Sequence, residues 1–586
     1  MRKYILFCAA SIFTLAANAQ SVTSAFTISQ NDLRGTARYM SMAGAFGALG
    51  GDLTAITQNP GGIGIYRSNE IGATFGVDIN NTKSETGSLS LNDRTTDFNL
   101  NNIGAVFTLK LYNNAVPNVN FGFVYNKAAS FNRKFSGNIG ALKTSFSNYI
   151  AGLSNYYGLD EADVKWTSSY DPYNPPYDSR FVPTLSVLGY DAFLTNPEIL
   201  LDQNNNEVTW WTGQYGEGTT GSGYFDVTER GSVDEYNIIL GGNINNKVFI
   251  GMNFDITSID YRIQSEWSES LQGAYVYNPN QQSIGRYDAK WALHDTYRVN
   301  GTGFKFNMGV IYKPIQELRL GFAFHTPSFY NLNETFSNVY VNFNYPFPIK
   351  DKDGNSYNSA WANDGIPTSN RINFSTPWRL IASVAGVIGS NFIVSADYEW
   401  TSYQSMKYSE ADPFYYDSYY DWPYDDWGWG WNGFYAPKKA KNSSTGISRS
   451  QYTNPNDYAN DMIKEIYCNT HTLRLGAEYR VLPSLSVRAG YSFTTSPVSS
   501  KAKNEQISIP GTGVLTNYSL DNMTNYVTCG IGYKYKGFYA DLAYLYKNMT
   551  SEYYPYSPDL ENRETAVKSK LTTSNSSLAL SIGFKF

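Results

Sequence analysis

The sequence contains few of the side chains on which most catalytic and metal sites depend. Its 586 residues include only three histidines and three cysteines. The histidines His294, His325 and His471 are widely spaced, and neither an H-E-x-x-H nor a G-x-S-x-G motif is present. We therefore expect no enzyme, no catalytic residues, no metal ligands and no cofactor.

An excess of positive charge is also lacking. The chain has 45 Lys and Arg against 51 Asp and Glu, a net charge of -6. A general nucleic-acid binder needs a cationic surface that displaces counterions from phosphates, so no nucleic-acid partner is expected. Aromatic residues make up 16% of the chain, which favours a folded protein over a disordered one.

Long apolar runs are missing after the first twenty residues, so no transmembrane helix is expected. The mean hydropathy is -0.39. Two classes remain compatible with these values, a soluble exported protein and a membrane β-barrel. Alternating strands leave no hydropathy peak, so periodicity has to distinguish the two.

The first nineteen residues have the order of a secretory signal peptide. Arg2 and Lys3 precede an apolar stretch at 4–17, and Ala17-Asn18-Ala19 stands before Gln20. An uncleaved anchor helix would need about 20 apolar residues. Residues 1–19 are therefore predicted to be removed on export, and the mature chain to begin at Gln20.

Runs with a period of two recur along the remaining chain. In the last run one face is apolar and the other small or polar; the apolar face holds Leu578, Leu580, Ile582, Phe584 and Phe586. This alternation is typical of β-strands. Fourteen segments show it, near 69–79, 97–112, 117–131, 234–245, 247–263, 297–313, 318–328, 378–388, 391–404, 470–481, 484–493, 524–535, 537–548 and 575–586.

Short and long connections alternate strictly between these segments. Six are turn-like, at 113–116, 246, 314–317, 390, 482–483 and 536. An even number of strands with short turns at one end and long loops at the other is the layout of a bacterial outer-membrane barrel. A soluble sandwich or propeller has no reason to separate loop lengths in this way.

The second face of these segments carries charges of both signs, which are tolerable inside a membrane only when they point into a lumen. They are Glu70, Asp78, Lys110, Asp255, Lys305, Arg319, His325, Asp397, Glu399, Arg474, Glu478, Arg480, Arg488, Asp541, Lys547 and Lys585. We predict an all-β, transmembrane antiparallel barrel of about fourteen strands over 69–586, with large extracellular loops at 132–233, 264–296, 329–377 and 405–469. Outer-membrane lipid, lipopolysaccharide and, through the last strand and Phe586, the barrel-assembly machinery are the expected partners.

Residues 20–68 precede the first strand and do not alternate. Asp52 is placed to cap a short helix that runs to Thr57, and Asn59-Pro60-Gly61 would end it and turn the chain. Neither a G-K-[S/T] nor a G-x-G-x-x-G element is present, so the segment is not a phosphate-binding loop.

These residues carry a resemblance to a known family. The order Arg38, Met42, Gly44, Ala45, Phe46, Asp52, Ala55 and Asn59-Pro60-Gly61, followed by fourteen strands that end at Phe586, resembles the long-chain fatty acid transporter family of outer-membrane proteins (FadL/TodX type). Gly61 stands where that family usually has Ala.

The resemblance implies a hatch at 20–68 that plugs the barrel, with Gly44, Asp52, Asn59, Pro60 and Gly61 as its gate residues. It also implies passive uptake of hydrophobic compounds, either fatty acid-like or aromatic. The compound would leave when the hatch moves, or sideways through a kink in the third strand. The residues alone assign Pro117, at the start of that strand, to a turn.

Two loops are candidate ligand entrances. In the loop 132–233, a helix is predicted that either covers the barrel mouth or forms a substrate groove, with Phe146, Ile150 and Leu153 as candidate entrance residues. The residues with helical spacing are Ile139, Leu142, Phe146, Ile150, Leu153 and Tyr157. In the aromatic segment 414–435, the rings could hold a ligand or lie against lipopolysaccharide head groups. The tryptophans of that segment are Trp422, Trp427, Trp429 and Trp431.

Three alternatives to transport remain open. A barrel could act as a secretion or surface-attachment scaffold without transporting anything. A receptor for a haem-like ligand would need an axial ligand, for which His325 or a loop tyrosine could serve. An outer-membrane lipase or protease would have to form its catalytic triad from residues that are far apart in sequence.

Overall fold

The computed structural model describes residues 22–174, 182–201, 205, 207–351, 353–389, 391–410, 455–507, 509, 513–557 and 568–586. The predicted signal peptide at 1–19 lies outside the described residues. The aromatic segment 414–435, with its four tryptophans, also lies outside them.

Fourteen antiparallel strands form a closed barrel, as predicted. They are β1 (Glu70–Thr86), β2 (Leu89–Lys110), β3 (Asn118–Ser130), β4 (Thr220–Ile244), β5 (Val248–Asn278), β6 (Ser283–Tyr312), β7 (Leu318–His325), β8 (Arg379–Ile388), β9 (Phe392–Thr401), β10 (Thr470–Leu482), β11 (Leu485–Thr494), β12 (Tyr518–Tyr535), β13 (Phe538–Tyr554) and β14 (Ser569–Lys585). Each strand pairs with the next, and β14 pairs with β1 from Glu70↔Lys585 to Glu85↔Lys570. Asn69 and Phe586 exchange two backbone hydrogen bonds that complete the closure.

The short turns at 113–116, 246, 314–317, 482–483 and 536 lie where the sequence predicts them, and we call that side of the barrel the short-turn end. The turn predicted at residue 390 lies outside the described residues. Pro117 lies in the turn before β3, as expected, and its carbonyl accepts a hydrogen bond from Leu111 N. The opposite side, the long-loop end, carries the large connections. Further strands there extend the wall at Arg133–Ile139, Phe329–Asn344, Ser359–Trp361, Thr368–Ser375 and Lys407–Glu410.

The long-loop end is covered by helices and two small hairpins. The helices are α4 (Phe146–Tyr156), α5 (Glu161–Val164), α6 (Thr184–Asp191), α7 (Pro455–Ile466), α8 (Ser500–Lys503) and the 3₁₀ turns Ala362–Gly365 and Tyr403–Ser405. The hairpins pair Thr195–Leu201 with Glu207–Gly213 and Ile349–Lys350 with Ser356–Tyr357. Among the described residues, no helix is both long enough and apolar enough to span a membrane.

The outer face of the strands is apolar near the short-turn end. Leu578 and Ile582 of β14 are exposed, whereas Ala579 and Ser581 between them are buried, as the alternation predicts. On β5, the outward Ile250, Met252, Phe254 and Ile256 form the same belt. This belt is the surface that lipid covers.

Several strands continue well beyond this belt, so the loop expected at 264–296 is mostly an extended hairpin of β5 and β6. The apolar residues change sides along it. Between the short-turn end and Ser258 the apolar residues of β5 point outward. On the long-loop side of Ser258 the apolar residues Ile259, Tyr261, Ile263 and Trp267 are buried inside. Water replaces lipid outside the wall at this level, so the apolar face turns inward. The strand predicted at 247–263 continues only a few residues beyond this change, so the rest of the hairpin was expected to be a loop.

The position of the lipid belt can be tested on β5. Replacing Met252 with Arg should lower the free energy of unfolding by about 2–4 kcal/mol, the cost of an arginine on a barrel's lipid face near the bilayer midplane. Gln264→Arg is the matched control, since Gln264 also points outward but lies beyond the belt. It should cost about 0–1 kcal/mol. Urea unfolding in phospholipid vesicles measures both, and equal losses would contradict the assignment.

Candidate functional site

Residues 22–68 fold inside the barrel and fill its lumen near the short-turn end. They comprise α1 (Val22–Ser29), α2 (Ala37–Ser41), α3 (Ala55–Gln58) and a 3₁₀ helix (Pro60–Ile65). Two buried apolar clusters surround them, one around α2 and Phe46 and the other around Ile56 and Ile63. In a barrel of eight strands the inward side chains just fill the interior. A fourteen-stranded barrel is wider, so its lumen needs this additional segment to be filled.

Asp52 organises the segment internally. Its carboxylate accepts hydrogen bonds from Thr54 N at 2.9 Å and Ala55 N at 3.2 Å, at the start of α3. The Thr36 hydroxyl also donates to it, at 2.8 and 2.7 Å to the two oxygens. Thr36 in turn caps α2. One buried carboxylate therefore links the beginnings of two short helices.

The Asn59-Pro60-Gly61 element makes the expected turn. Asn59 Oδ1 accepts from Gly61 N at 3.0 Å, and Asn59 Nδ2 donates to the Gly47 carbonyl at 2.6 Å and to the Val310 carbonyl of β6 at 3.3 Å. Pro60 is the first residue of the 3₁₀ helix. Asn59 thus joins two parts of the segment to the wall.

Gly44 has a φ of 75°, in the left-handed region that favours glycine. A Cβ at this position would also lie 3.0 Å from the Tyr39 hydroxyl. Gly44 therefore permits the tight turn between α2 and Phe46.

Buried ion pairs attach the segment to the wall on one side. Arg38 Nε lies 3.0 Å from Glu478 Oε2 on β10, and Arg488 Nε of β11 lies 2.6 Å from the same oxygen. Arg488 also contacts Asp541 of β13 at 2.5 Å. Charge alternates along this chain of groups, so each buried charge has a partner of opposite sign.

Asp397 of β9 is a second anchor. Its Oδ2 accepts hydrogen bonds from Phe46 N at 3.0 Å, Gly47 N at 2.8 Å and Gln58 Nε2 at 3.2 Å. The side chain is completely buried. Removing it would leave Gly47 N without this acceptor, whereas Phe46 N and Gln58 Nε2 also donate to the Gly44 carbonyl.

Inward-facing glycines let the segment's backbone touch the wall. Gly241, Gly251 and Gly309 lie directly opposite one another on β4, β5 and β6. A Cβ on Gly251 would lie 2.1 Å from the Pro60 carbonyl oxygen, and one on Gly309 would lie 1.9 Å from Asn59 Oδ1. Further inward glycines that would meet the segment in the same way are Gly321, Gly476, Gly490 and Gly530. We call these seven residues the glycine girdle.

A cavity of about 130 Å³ lies between α1, the wall strands β12–β14 and the region after β3. Phe26, Phe131, Tyr518, Leu545 and Met549 supply apolar and aromatic surface to it.

The cavity also contains charges, but they are paired. Lys547 Nζ lies 2.7 Å from Asp32, Arg34 Nη2 lies 2.7 Å from Asp78, and Arg133 Nε lies 2.6 Å from Glu229. Burial alone would raise the pKa of the Asp32 carboxyl, but Lys547 and Arg34 hold it at about 2. The cations that line the cavity in the described part of the chain therefore each contact a carboxylate.

The wall is interrupted beside this cavity. The β2–β3 ladder ends at Asn102↔Asn126, although β2 continues to pair with β1 as far as Leu89. The β3–β4 register shifts between Lys127 and Ala129. After this break, Arg133–Ile139 pairs with β4 again.

Polar side chains close the break. Asn80 Nδ2 donates to the Asn132 carbonyl at 2.8 Å, Lys127 Nζ donates to Asn99 Oδ1 at 2.8 Å, and Ser136 N donates to Asp93 at 2.7 Å. Sequence reasoning from the residues missed this opening, because nothing in the alternation of β3 marks where its partner strand diverges.

The predicted loop helix is present as α4 but begins later than the spacing predicts, because Ile139 ends the strand Arg133–Ile139, which pairs with β4. Phe146, Ile150 and Leu153 are buried in the apolar cluster that covers the barrel mouth, and the Phe146 ring stacks on Tyr149. None of the three lines the cavity. The structure therefore places them in the packed cover, and their role at a ligand entrance stays a prediction.

The three histidines are held by other side chains or the backbone. His325 Nε2 bonds to the Gln58 carbonyl at 2.7 Å and its Nδ1 lies 3.3 Å from Arg379. His471 bonds to the Tyr398 hydroxyl, and His294 stacks on Tyr340. Within the described ranges, no group of three or more His, Cys, Asp or Glu side chains could hold a metal ion.

Comparison with known proteins confirms the predicted resemblance. The family model described as "Outer membrane protein transport protein (OMPP1/FadL/TodX)" matches residues 233–516. This match lies within the barrel, outside the N-terminal segment whose residues carry the sequence resemblance. No curated protein matches the chain in sequence.

Solved structures that match this chain include a FadL homologue and two toluene transporters. A Pseudomonas aeruginosa FadL homologue is 13% identical, with 95% of this chain and 99% of that chain covered and a TM-score of 0.47. The P. putida toluene transporter TodX is 12% identical, with 95% and 99% covered and a TM-score of 0.45. The Ralstonia pickettii toluene transporter TbuX is 12% identical, with 95% and 99% covered and a TM-score of 0.40.

The fit between segment and wall can be tested at the glycine girdle. Gly251→Val would push against the Pro60 carbonyl, which is backbone and cannot rotate away, so we expect a loss of about 1–3 kcal/mol and release of the segment to protease. Gly386→Val is the matched control on β8, because Gly386 faces outward and its nearest neighbour would be Val394 Cγ2 at 3.4 Å. Limited proteolysis and thermal unfolding provide the readouts. Equal protease resistance of the two variants would show that the contact does not hold the segment.

Proposed function

We propose that the protein is a passive channel for small hydrophobic compounds in the bacterial outer membrane, and that residues 20–68 form the hatch that closes it. The match to a family of outer-membrane transport proteins supports transport over enzymatic activity. The observation that carries the proposal is the cavity, which lies between the N-terminal segment and the break in the wall.

The contacts of the hatch suit a movable plug. It is held by side-chain hydrogen bonds, ion pairs and close packing against the glycine girdle, whereas the barrel strands are held by continuous backbone ladders. Hydrogen bonds and ion pairs of this kind can exchange with water when a pore opens. The ladders keep the wall intact while the hatch rearranges.

The size and charge of the cavity favour an uncharged compound about as large as one aromatic ring. An engineered apolar cavity of about 150 Å³ accommodates benzene, and this cavity has about 130 Å³. An extended fatty acyl chain needs more room. A fatty acid carboxylate would also compete with Asp32, Asp78 and Glu229 for their cations.

The break after Asn126 offers a sideways exit. Over this stretch no backbone ladder joins β2 to β3, so a compound has to displace only side-chain contacts such as Lys127 to Asn99 and Asn80 to Asn132. The region 130–133 lines both the cavity and the break. The break begins at the level of Ser258, at the edge of the lipid belt, so a compound could leave the lumen there without crossing the whole hatch.

A haem-like ligand is less well supported. Both ring nitrogens of His325 already have partners, in Gln58 and Arg379, so the axial ligand that such a receptor needs is engaged. A scaffold without transport is the remaining alternative, and the experiment below distinguishes it from a channel.

Hatch movement can be tested by a reversible lock. Asn126 Nδ2 of β3 donates to Thr57 Oγ1 of α3 at 3.0 Å. The two Cβ atoms are therefore about 5–7 Å apart, so cysteines at these positions need a small backbone shift to form a disulfide, and a non-reducing gel verifies that it has formed. The native Cys468 and Cys529 are free and are first replaced by serine. Uptake of a labelled monoaromatic hydrocarbon by intact cells should fall to background in the oxidised Thr57→Cys/Asn126→Cys protein and recover on reduction.

Thr57→Cys alone is the control and should transport under both conditions. Full uptake by the oxidised double variant would show that the hatch does not have to move. Uptake by the unmodified protein no greater than in cells without it would favour the scaffold.

A further inference from the structure

Three arginines meet on the outer surface of the barrel wall. Arg230 of β4 lies directly opposite Arg262 of β5, and Arg262 lies directly opposite Arg298 of β6. Directly opposed residues project from the same face of a sheet, and all three are exposed. Neighbouring strands are about 4.8 Å apart, so the three Cα atoms lie within about 10 Å. We call these residues the arginine rank.

The positive charge of this rank is only partly balanced. Arg298 forms two hydrogen bonds to Asp260, at 2.8 and 3.0 Å. In the part of the chain that the structure describes, Arg230 and Arg262 have no carboxylate within ion-pair distance. Like charges directly opposite one another on a sheet are destabilising, so the rank is suited to an anion.

Other charged groups on this face are further away and are engaged. Asp234 and Glu266 lie about 13 Å along their strands from Arg230 and Arg262. Asp234 accepts hydrogen bonds from Tyr125 and Ser232, and Glu266 lies 3.8 Å from His294. Lys134, near Arg230, pairs with Asp226 at 3.0 Å. The unbalanced charge therefore belongs to the rank itself.

The height of the rank above the lipid belt matches a head-group layer. The outward apolar residues end at Tyr236, Ile256 and Phe304 on the three strands. From Ile256, the last outward apolar residue of β5, to Arg262 the strand rises about 20 Å, or roughly 14 Å in height at the usual tilt. An arginine side chain that bends back covers about half of this height and so reaches the head-group layer, which extends about 5–8 Å beyond the hydrocarbon core.

Between the arginine rank and the lipid belt lies a rank of sugar-compatible groups. Ser232, Asp260 and Asn300 are directly opposed on the same three strands. Hydroxyl, carboxylate and amide groups form hydrogen bonds with sugar hydroxyls. Phospholipids with glycerol head groups carry few hydroxyls of this kind.

We propose that the arginine rank binds the phosphorylated glucosamine head group of a lipid A-type glycolipid in the outer leaflet. The long-loop end then faces the cell exterior, as the sequence analysis predicts for the large loops, and the barrel lies in the outer membrane, as in the proposed function. The three guanidinium groups contact the phosphate, and the Ser232–Asp260–Asn300 rank contacts the sugar. The glycolipid would pack beside β4–β6 and hold this part of the wall in the membrane.

The test uses the full mature protein in detergent with defined lipids. Phosphorylated lipid A, enzymatically dephosphorylated lipid A, phosphatidylglycerol and inorganic phosphate are titrated, and bound lipid is counted by native mass spectrometry. We expect phosphorylated lipid A to bind at least tenfold more tightly than the dephosphorylated form or phosphatidylglycerol. The variant Arg230→Gln/Arg262→Gln/Arg298→Gln should lose that preference.

Lys290→Gln is the matched control. Lys290 is an exposed cation on β6, about 26 Å further along the strand than Arg298, and faces Ser270 and Asn344 instead of another arginine. It should keep the preference for phosphorylated lipid A. Heat-modifiable migration on a gel verifies that each barrel is folded.

Three results would overturn the proposal: equal binding of dephosphorylated lipid A, unchanged binding by the triple variant, or phosphatidylglycerol binding as tight as that of lipid A. Tight binding of inorganic phosphate alone would likewise indicate a simple anion site. The lipid measurement is independent of the uptake assay with the hatch lock, so a failure of transport and a failure of glycolipid binding are distinguishable.

Discussion

The structure depends on one geometric constraint: a closed wall of fourteen strands encloses more space than its own side chains can fill. The chain solves this with residues 22–68, which enter the lumen and bring their own backbone polar groups with them. Asp397 accepts two of these backbone N–H groups, and the glycine girdle lets the segment come close enough to pack. The cavity and the break after Asn126 lie at the edge of this segment, where its packing against the wall is incomplete.

The second organising feature is the solvent outside the wall. Near the short-turn end lipid covers the strands, so apolar residues such as Met252 point outward and charges such as Asp397 point into the lumen. Beyond Ser258 water surrounds the strands, and apolar residues such as Trp267 point inward to a second core under α4. The same strand therefore serves two environments by changing which face is apolar, and the arginine rank lies just beyond that change.

Sequence reasoning found the features that local pattern determines. The fourteen strands, the short turns and the helix at Phe146 can be predicted, because alternation, turn residues and helical spacing are visible over short stretches. The position of residues 20–68 inside the barrel was implied by the family resemblance and not by local pattern. The extended hairpin of β5 and β6 was missed since its apolar phase reverses near Ser258. The break beside β3, the glycine girdle and the arginine rank depend on strand register, which brings together residues such as Arg230, Arg262 and Arg298 that are far apart in sequence.

The most direct measurement of the central claim is the ion conductance of the barrel with and without residues 20–68, recorded in planar bilayers. If the segment plugs the lumen, the intact protein should stay closed, while the shortened protein, verified as a folded barrel by heat-modifiable migration, should conduct as an open pore. Equal conductance of the two proteins would contradict the account, because the lumen would then be closed by something other than this segment or not closed at all.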